Sequence, residues 1–153
     1  MKRIVCTIFV LVLILSLAAC SSREALSAEE FTSRMTEAGH TVEDATYIFD
    51  DSPDFPATAY LIADCGEFEV EFFVFETAEH ARQFYERIRR MLIGMRGNRS
   101  SYSEINLPNF NRYRQTSGGQ FGVVSRIGNT VVMVITSSDN RAEVDAILDI
   151  LGY

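Results

Sequence analysis

The side chains that could do nucleophilic or acid–base chemistry are few and scattered in this chain of 153 residues. Its two histidines are His40, which follows a helix-ending glycine, and His80, in the first turn of a predicted helix, and neither stands in a nucleophile motif. Lysine is absent after Lys2, which removes Ser–Lys chemistry. Paired carboxylates could act as they do in glycosidases, but spacing alone does not pick out such a pair. The sequence therefore predicts no catalytic residue, and a small hydrolase using acidic residues is the weakest of the functions considered.

Metal and cofactor sites have equally little support. Asp50, Asp51 and Asp54 offer hard oxygen ligands, but Pro53 and Pro56 interrupt them and the central glycine of a calcium loop is missing. The sequence contains no phosphate-binding loop, no dinucleotide fingerprint and no zinc spacing. We expect an ordinary acidic turn here, and neither a metal nor a cofactor.

The charges of the chain are segregated. Between Ala28 and Glu79 there are 14 acidic residues and one Arg, whereas His80 to Arg126 holds nine Arg and two Glu. Such an asymmetry between the halves of a chain can indicate a surface partner. The net charge of −7 argues against nucleic acid as that partner, because a nucleic-acid-binding surface needs an excess of basic residues.

Six residues of the basic half are the candidates for surface or partner binding. Arginines on the outer side of the predicted long helix could rest on anionic headgroups, where each contributes about 1 kcal/mol. Alternatively the two halves neutralise each other, with Glu67, Glu69 and Glu71 facing arginines of a later strand across the sheet. The aromatic residues around Pro108 could line a pocket or a groove. The candidates are Arg82, Arg89, Arg90, Arg112, Tyr113 and Arg114.

The elements that must position these residues follow from apolar periodicity. Helical spacing and capping residues predict three helices, and alternating or continuous apolar runs predict six strands. A polar stretch between the second helix and the fourth strand is predicted to be a loop. The helices cover about 28–38, 78–95 and 141–151, the strands 42–49, 57–65, 67–75, 110–116, 120–127 and 130–136, and the loop 97–109.

The order of these elements, αβββαβββα, predicts an α+β fold. We expect an antiparallel sheet of about six strands with the helices packed on one face. The two αβββ halves are compatible with an internal duplication, and the length is that of a single domain.

The N-terminal residues have the pattern of an export signal. Lys2 and Arg3 precede an apolar run, which closes on Leu17-Ala18-Ala19-Cys20. The apolar stretch 4–19 is shorter than the roughly 20 residues that span a bilayer, which argues against a transmembrane helix. A plain secretory signal also ends on small residues, but Leu three residues before a Cys is specific to lipoproteins. The segment therefore resembles the signal peptide and lipobox of bacterial lipoproteins.

This resemblance implies cleavage between Ala19 and Cys20 and a diacylglyceryl lipid on the Cys20 sulfur. Two acyl chains suffice for stable anchoring, so the expected location is the extracytoplasmic side of a bacterial cell membrane. In a cell with two membranes, Ser21 in place of Asp fits passage to the outer membrane. The domain organisation is then a signal peptide at 1–19, a lipidated Cys and short tether at 20–27, and one globular domain at 28–153.

Cysteine usage predicts a domain without a disulfide. Cys6 leaves with the signal peptide and Cys20 carries the lipid, so Cys65 remains alone. Its position in an apolar strand pattern predicts a buried small hydrophobe.

The functional interpretation is a non-enzymatic binding or protein-interaction domain held at the membrane, with a membrane or envelope protein as its partner. Such a role needs a contiguous apolar or Arg-rich patch on the surface. The first alternative is a small-molecule-binding or sensory module, which needs an enclosed cavity.

Overall fold

A computed structural model describes residues 23–49 and 57–153, so the signal segment, Cys20 and the acidic turn at Asp50, Asp51 and Asp54 lie outside the described residues. The strands are Thr41–Asp44 (β1), Ala57–Asp64 (β2), Glu69–Phe75 (β3), Ser100–Asn106 (β4), Phe110–Ser117 (β5), Gln120–Ile127 (β6) and Thr130–Ser137 (β7). The α-helices are Ala28–Glu37 (α1), Ala78–Gly94 (α2) and Arg141–Leu151 (α3), and short 3-10 helices span Thr46–Phe49 and Ser138–Asn140.

The strands form one antiparallel sheet in the order β1-β2-β3-β7-β6-β5-β4. The predicted α+β class and the antiparallel sheet are confirmed, with seven strands in place of about six. The additional strand is β4, which falls in the predicted loop. All seven of its residues are exposed, so it lacks the alternation of buried and exposed positions that reveals a strand in a sequence.

The first predicted strand is shorter than expected. β1 ends at Asp44, whose carboxylate accepts a hydrogen bond from the Thr46 N–H at 2.9 Å. This local bond starts the 3-10 helix that replaces the second half of the predicted strand.

The helices cover both faces of the sheet, which corrects the expectation that all of them pack on one face. Neighbouring residues of a strand point to opposite faces, and Phe72 and Phe73 of β3 are both buried. Phe72 stacks on Phe31 of α1 with ring centroids 4.5 Å apart, whereas Phe73 lies 4.6 Å from Phe84 of α2. We call the face covered by α1 and α3 the front and the face covered by α2 the back.

The two halves of the chain therefore differ. Within the residues that the structure describes, the second half has four strands where the first has three, and α1 and α2 lie on opposite faces. On the front, α1 packs beside β1 and β2 and α3 packs on β7. Among the described residues no helix packs as closely on the front of β5 and β4, which α3 reaches through side chains such as Asp145, so this strip is largely uncovered. This uncovered strip is where the candidate site lies.

The globular domain begins before Ala28. Leu26 is buried, and Arg23 Nη1 donates a hydrogen bond to the Gly152 carbonyl at 2.9 Å. The Asn109 side-chain amide donates to the Arg23 carbonyl at 3.1 Å. Residues 23–27, which the sequence assigns to the tether, thus belong to the domain, because they are held by residues far away along the chain.

Candidate functional site

Four arginines gather on the uncovered strip of the front face. The alternation of β5 places Arg112 and Arg114 on the same side as the buried Phe110. Arg23 approaches from the N-terminal segment with its guanidinium carbon 4.1 Å from the centre of the Phe110 ring, and Arg141 approaches from the start of α3. We call Arg23, Arg112, Arg114 and Arg141 the arginine shelf.

The shelf carries more positive than negative charge. The flank of α3 supplies the carboxylates of Asp145 and Asp149. Arg114 Nη1 lies 3.1 Å from Asp145 Oδ1, and Arg141 Nε lies 3.9 Å from Asp145 Oδ2. The four guanidinium groups of the shelf outnumber these two carboxylates and that of Glu24, which is exposed next to Arg23 in the chain. The shelf therefore keeps an excess of positive charge in a chain whose net charge is −7.

Arg112 shows the consequence of this excess most clearly. Its Nε is buried and has no hydrogen-bond partner among the described residues. Burial lowers the pKa of Arg112, and the charges of Arg114 and Arg23 lower it further. A buried donor without a partner costs about 1–3 kcal/mol. An anion beside Arg112 would therefore supply the missing hydrogen bond and reduce the repulsion between the guanidinium groups.

An open cleft of about 280 Å³ lies at the end of the shelf formed by Arg114 and Arg141. Ser101, Ser103 and Thr116 are part of its lining, because the pairing of β4 with β5 places Ser103 opposite Arg114 and Ser101 opposite Thr116. Guanidinium and hydroxyl donors suit a carboxylate or another oxyanion. The cleft is thus equipped to bind an acidic group.

The arginines predicted on the outer side of α2 have partners of their own. Arg82 makes two hydrogen bonds to the Glu79 carboxylate, at 2.9 and 2.8 Å. Arg89 makes two to Glu104 of β4, at 2.9 and 3.0 Å, and these hydrogen bonds raise the pKa of Arg89. Arg90 Nε donates to a backbone carbonyl of the same helix at 3.3 Å. Arg82 and Arg89 are therefore paired with carboxylates of the domain, whereas the carbonyl bonded by Arg90 is neutral.

Tyr113 lies on the other side of the sheet from its sequence neighbours Arg112 and Arg114. It is fully buried on the back face, where it accepts a hydrogen bond from Arg96 Nε at 2.8 Å and donates one to Gln115 Oε1 at 2.9 Å. The structure thus divides the candidate group of β5, with the two arginines on the front and the tyrosine in a buried network behind them.

The predicted neutralisation of Arg112 and Arg114 by Glu67, Glu69 and Glu71 is wrong. β7 and β6 separate β3 from β5 in the sheet. The sequence predicts the acidic and the basic strands but not the order in which they lie in the sheet. That order depends on pairings between residues far apart in the chain.

Glu69 and Glu71 of β3 lie on the same face of the sheet, because they are two residues apart in one strand. The Glu71 carboxylate accepts a hydrogen bond from the Tyr60 hydroxyl at 2.7 Å. Burial raises the pKa of Glu71, the bond from Tyr60 lowers it in part, and the charge of Glu69 raises it again. The net effect is a carboxyl group that gives up its proton less readily than in the unfolded chain.

We expect Glu71→Gln to raise the melting temperature Tm at pH 7 and to leave it unchanged at pH 4. Because the pKa of Glu71 is higher in the folded protein than its ordinary value of 4.5, stability is lost as the pH rises above that value. Glutamine keeps an oxygen acceptor for Tyr60 but carries no charge. Thermal unfolding followed by circular dichroism at the two pH values tests this. A gain of equal size at both would contradict it.

The described residues contain no group of three or more His, Cys, Asp or Glu side chains that could hold a metal ion. Cys65 is partly buried against the front core. Burial, followed by the charges of Glu143 and Asp64, raises the pKa of its thiol to about 11. Cys65 is therefore a neutral thiol at neutral pH.

Two arginines of the shelf, Arg23 and Arg141, were missed by sequence reasoning. Arg23 stands in a segment that the sequence assigns to a tether, and nothing local indicates its contacts with Phe110 and Gly152. The position of Arg141 in the sequence does indicate that it is unusual. It is the first residue of α3, where a positive charge is unfavourable beside the positive end of the helix dipole.

The comparisons with known proteins support the fold of the chain and give no information on its activity. No protein-family profile matches the chain, and no curated protein matches it in sequence. Among solved structures, the chain is similar to a GTP-binding regulator from Thermotoga maritima, with 15% identity, a TM-score of 0.51, and coverage of 83% of this chain and 88% of that one. The extracellular domain of PknH from Mycobacterium tuberculosis gives 15% identity, a TM-score of 0.37, and coverage of 82% and 90%.

The likeness to the Thermotoga maritima protein supports the α+β fold alone, since an identity this low carries no activity with it. Within the part of the chain that the structure describes, no helix is both long enough and apolar enough to cross a membrane.

Proposed function

We propose that this protein is a lipid-anchored lipoprotein on the extracytoplasmic side of a bacterial membrane, and that its domain is a non-enzymatic binding module. Its ligand is an acidic segment of a membrane or envelope protein, held on the arginine shelf. The observation that carries the binding role is the excess of positive charge around Arg112, whose Nε has no hydrogen-bond partner within the described part of the chain, in an acidic protein. The anchor rests on the resemblance of residues 17–20 to a lipobox.

The shape of the site favours an extended segment over an enclosed small molecule. The cleft of about 280 Å³ is open to solvent, whereas small-molecule pockets enclose most of the ligand surface. The shelf continues from this cleft along β5, whose eight residues span about 27 Å. Beside it, β4 is an edge strand with free backbone donors and acceptors on one side, which an extended segment can use.

We expect a photocrosslinking amino acid placed at Ile105 to capture a protein partner in living cells. Ile105 lies on the front of β4 opposite Arg112, and its side chain is 41% exposed. Replacing Arg112 and Arg114 together with Ala should reduce the captured amount at least about tenfold, because each lost charge-assisted hydrogen bond contributes on the order of 1.5–3 kcal/mol. Mass spectrometry identifies the partner, which should present an acidic segment at the crosslink.

The matched control removes the same number of charges from α2. Arg82→Ala combined with Arg90→Ala should leave the capture unchanged, since Arg82 already pairs with Glu79. An equal loss in both double variants would show that only net charge matters and would overturn the shelf as the binding site. If Ile105 captures no protein, and citrate stabilises the parent but not the Arg112, Arg114 variant, the shelf is instead the small-anion site of the sensory alternative.

A further inference from the structure

We infer that the domain stands on the lipid surface with one particular end down, and that the cleft of the arginine shelf points away from the membrane. The inference rests on the lipid anchor proposed above and adds which residues face the lipid. The downward end carries Arg23, the β4–β5 turn at Leu107, and Ile150 in the last turn of α3. We call it the anchor end.

The distance from the lipid to the domain is short. Only residues 21 and 22 separate Cys20 from Arg23. Consecutive Cα atoms are about 3.8 Å apart, so the Cα atoms of Cys20 and Arg23 are at most about 11 Å apart. A lipidated Cys20 therefore keeps Arg23 at the level of the headgroups.

Arg23 is itself firmly fastened. Its guanidinium donates to the Gly152 carbonyl at 2.9 Å and stacks on Phe110 at 4.1 Å, and its own carbonyl accepts a bond from Asn109 at 3.1 Å. Gly152 follows the end of α3, and Phe110 begins β5. The lipidated segment is thus joined to Arg23, which is fixed to the end of α3 and to the start of β5. This short connection prevents the domain from rotating freely, as it could on a long tether.

The surface around this point is suited to a lipid interface. Leu107 and Ile150 are exposed, at 55% and 47%. Arg34 Nη1 donates to the Ile150 carbonyl at 3.0 Å, which brings a second guanidinium to the end of α3. Exposed aliphatic side chains beside arginines are typical of surfaces at the headgroup level.

Charge does not drive this contact. Glu24 and Asp149 are exposed next to Arg23 and Ile150, so the negative charges of the anchor end offset its positive charges. Neutral lipid should therefore suffice, in contrast to a basic surface that requires anionic headgroups.

The opposite end of the sheet lies well above the membrane. β5 runs from Phe110 to Ser117, a length of about 27 Å. At its far end the Ser117 hydroxyl accepts a hydrogen bond from the Gly97 N–H at 2.8 Å, just after α2 ends beside Met95. Arg141 also follows the far end of β7. The cleft is thus presented to a partner outside the headgroup layer.

The absence of tryptophan from the chain permits a direct test. Leu107→Trp and Met95→Trp each introduce a single fluorophore, at opposite ends of the sheet, and both sites are exposed, so neither substitution disturbs the core. The full chain is produced in a bacterial host, purified as the lipidated protein and reconstituted in phosphatidylcholine vesicles with or without bromine on the acyl chains near the headgroups. We expect bromine to reduce the emission of Leu107→Trp at least twofold and that of Met95→Trp by less than a tenth.

Equal quenching of the two fluorophores, or stronger quenching at Met95, would overturn the inferred orientation. The mass of the purified protein separates this failure from failure of the anchor. If the mass shows the diacylglyceryl group on Cys20 and Leu107→Trp is not quenched, the orientation alone is wrong. If Cys20 carries no lipid, the proposed anchor fails and the orientation fails with it.

Discussion

Phe73→Ala should destabilise the domain by about 3–5 kcal/mol, which is as much as Phe72→Ala. Phe73 is 2% exposed and stacks on Tyr60 with ring centroids 4.5 Å apart, and Phe84 of α2 lies at 4.6 Å. Removing the ring leaves a cavity between the back of the sheet and α2. Since domains are stable by only about 5–15 kcal/mol, either variant should unfold at much lower urea concentration than the parent. Urea titration followed by circular dichroism measures the free energy of unfolding.

The comparison of the two neighbours tests the presence of a helix on each face. Phe72 packs on the front against Phe31 and Tyr153, and Phe73 packs on the back. A sheet with helices on one face only would leave one of the two rings in water, where truncation costs little. Glu69→Ala, at an exposed position of the same strand, is the control and should change the free energy of unfolding by less than about 0.5 kcal/mol. A cost below about 1 kcal/mol for Phe73→Ala would contradict the packing of α2.

Features that depend on neighbouring residues could be predicted from the sequence. Ser27 and Glu30 form a capping box at the start of α1, in which the side chain of each bonds the backbone of the other. Gly152 ends α3 in the left-handed conformation that glycine adopts without strain. These bonds span three or four residues, so the local sequence contains all the groups that form them.

Features that depend on distant pairings could not be predicted. β4 has no buried side, so its polar residues are those of a loop until β5 pairs with it. The two-sided burial of Phe72 and Phe73 is compatible with helices on either face, and only the chain path assigns α2 to the back. The candidate site is the feature least predictable from the sequence. Arg23 and Arg141 are far from Arg112 and Arg114 in the sequence and lie beside them only in the folded domain.

Cys20→Ala should abolish lipid labelling of the protein and block its maturation. The proposed diacylglyceryl group is attached through the Cys20 sulfur, and alanine offers no atom for that bond. The uncleaved chain should therefore retain residues 1–19 and carry no acyl chain. Growth with radiolabelled palmitate, followed by electrophoresis and mass measurement, gives both readouts in a single experiment. Label that persists on the Cys20→Ala protein would refute the lipid anchor.

Cys65→Ala is the matched control, because Cys65 is the other cysteine that remains after cleavage at Cys20. Burial raises the pKa of the Cys65 thiol to about 11, so the group is protonated and unreactive at neutral pH. Its replacement should leave the label and the mature mass, apart from one sulfur atom, as they are in the parent. Loss of label in both variants would point to misfolding or failed export in place of a missing acceptor, whereas loss in Cys20→Ala alone assigns the lipid to Cys20. That assignment is also what fixes the short distance between the membrane and Arg23.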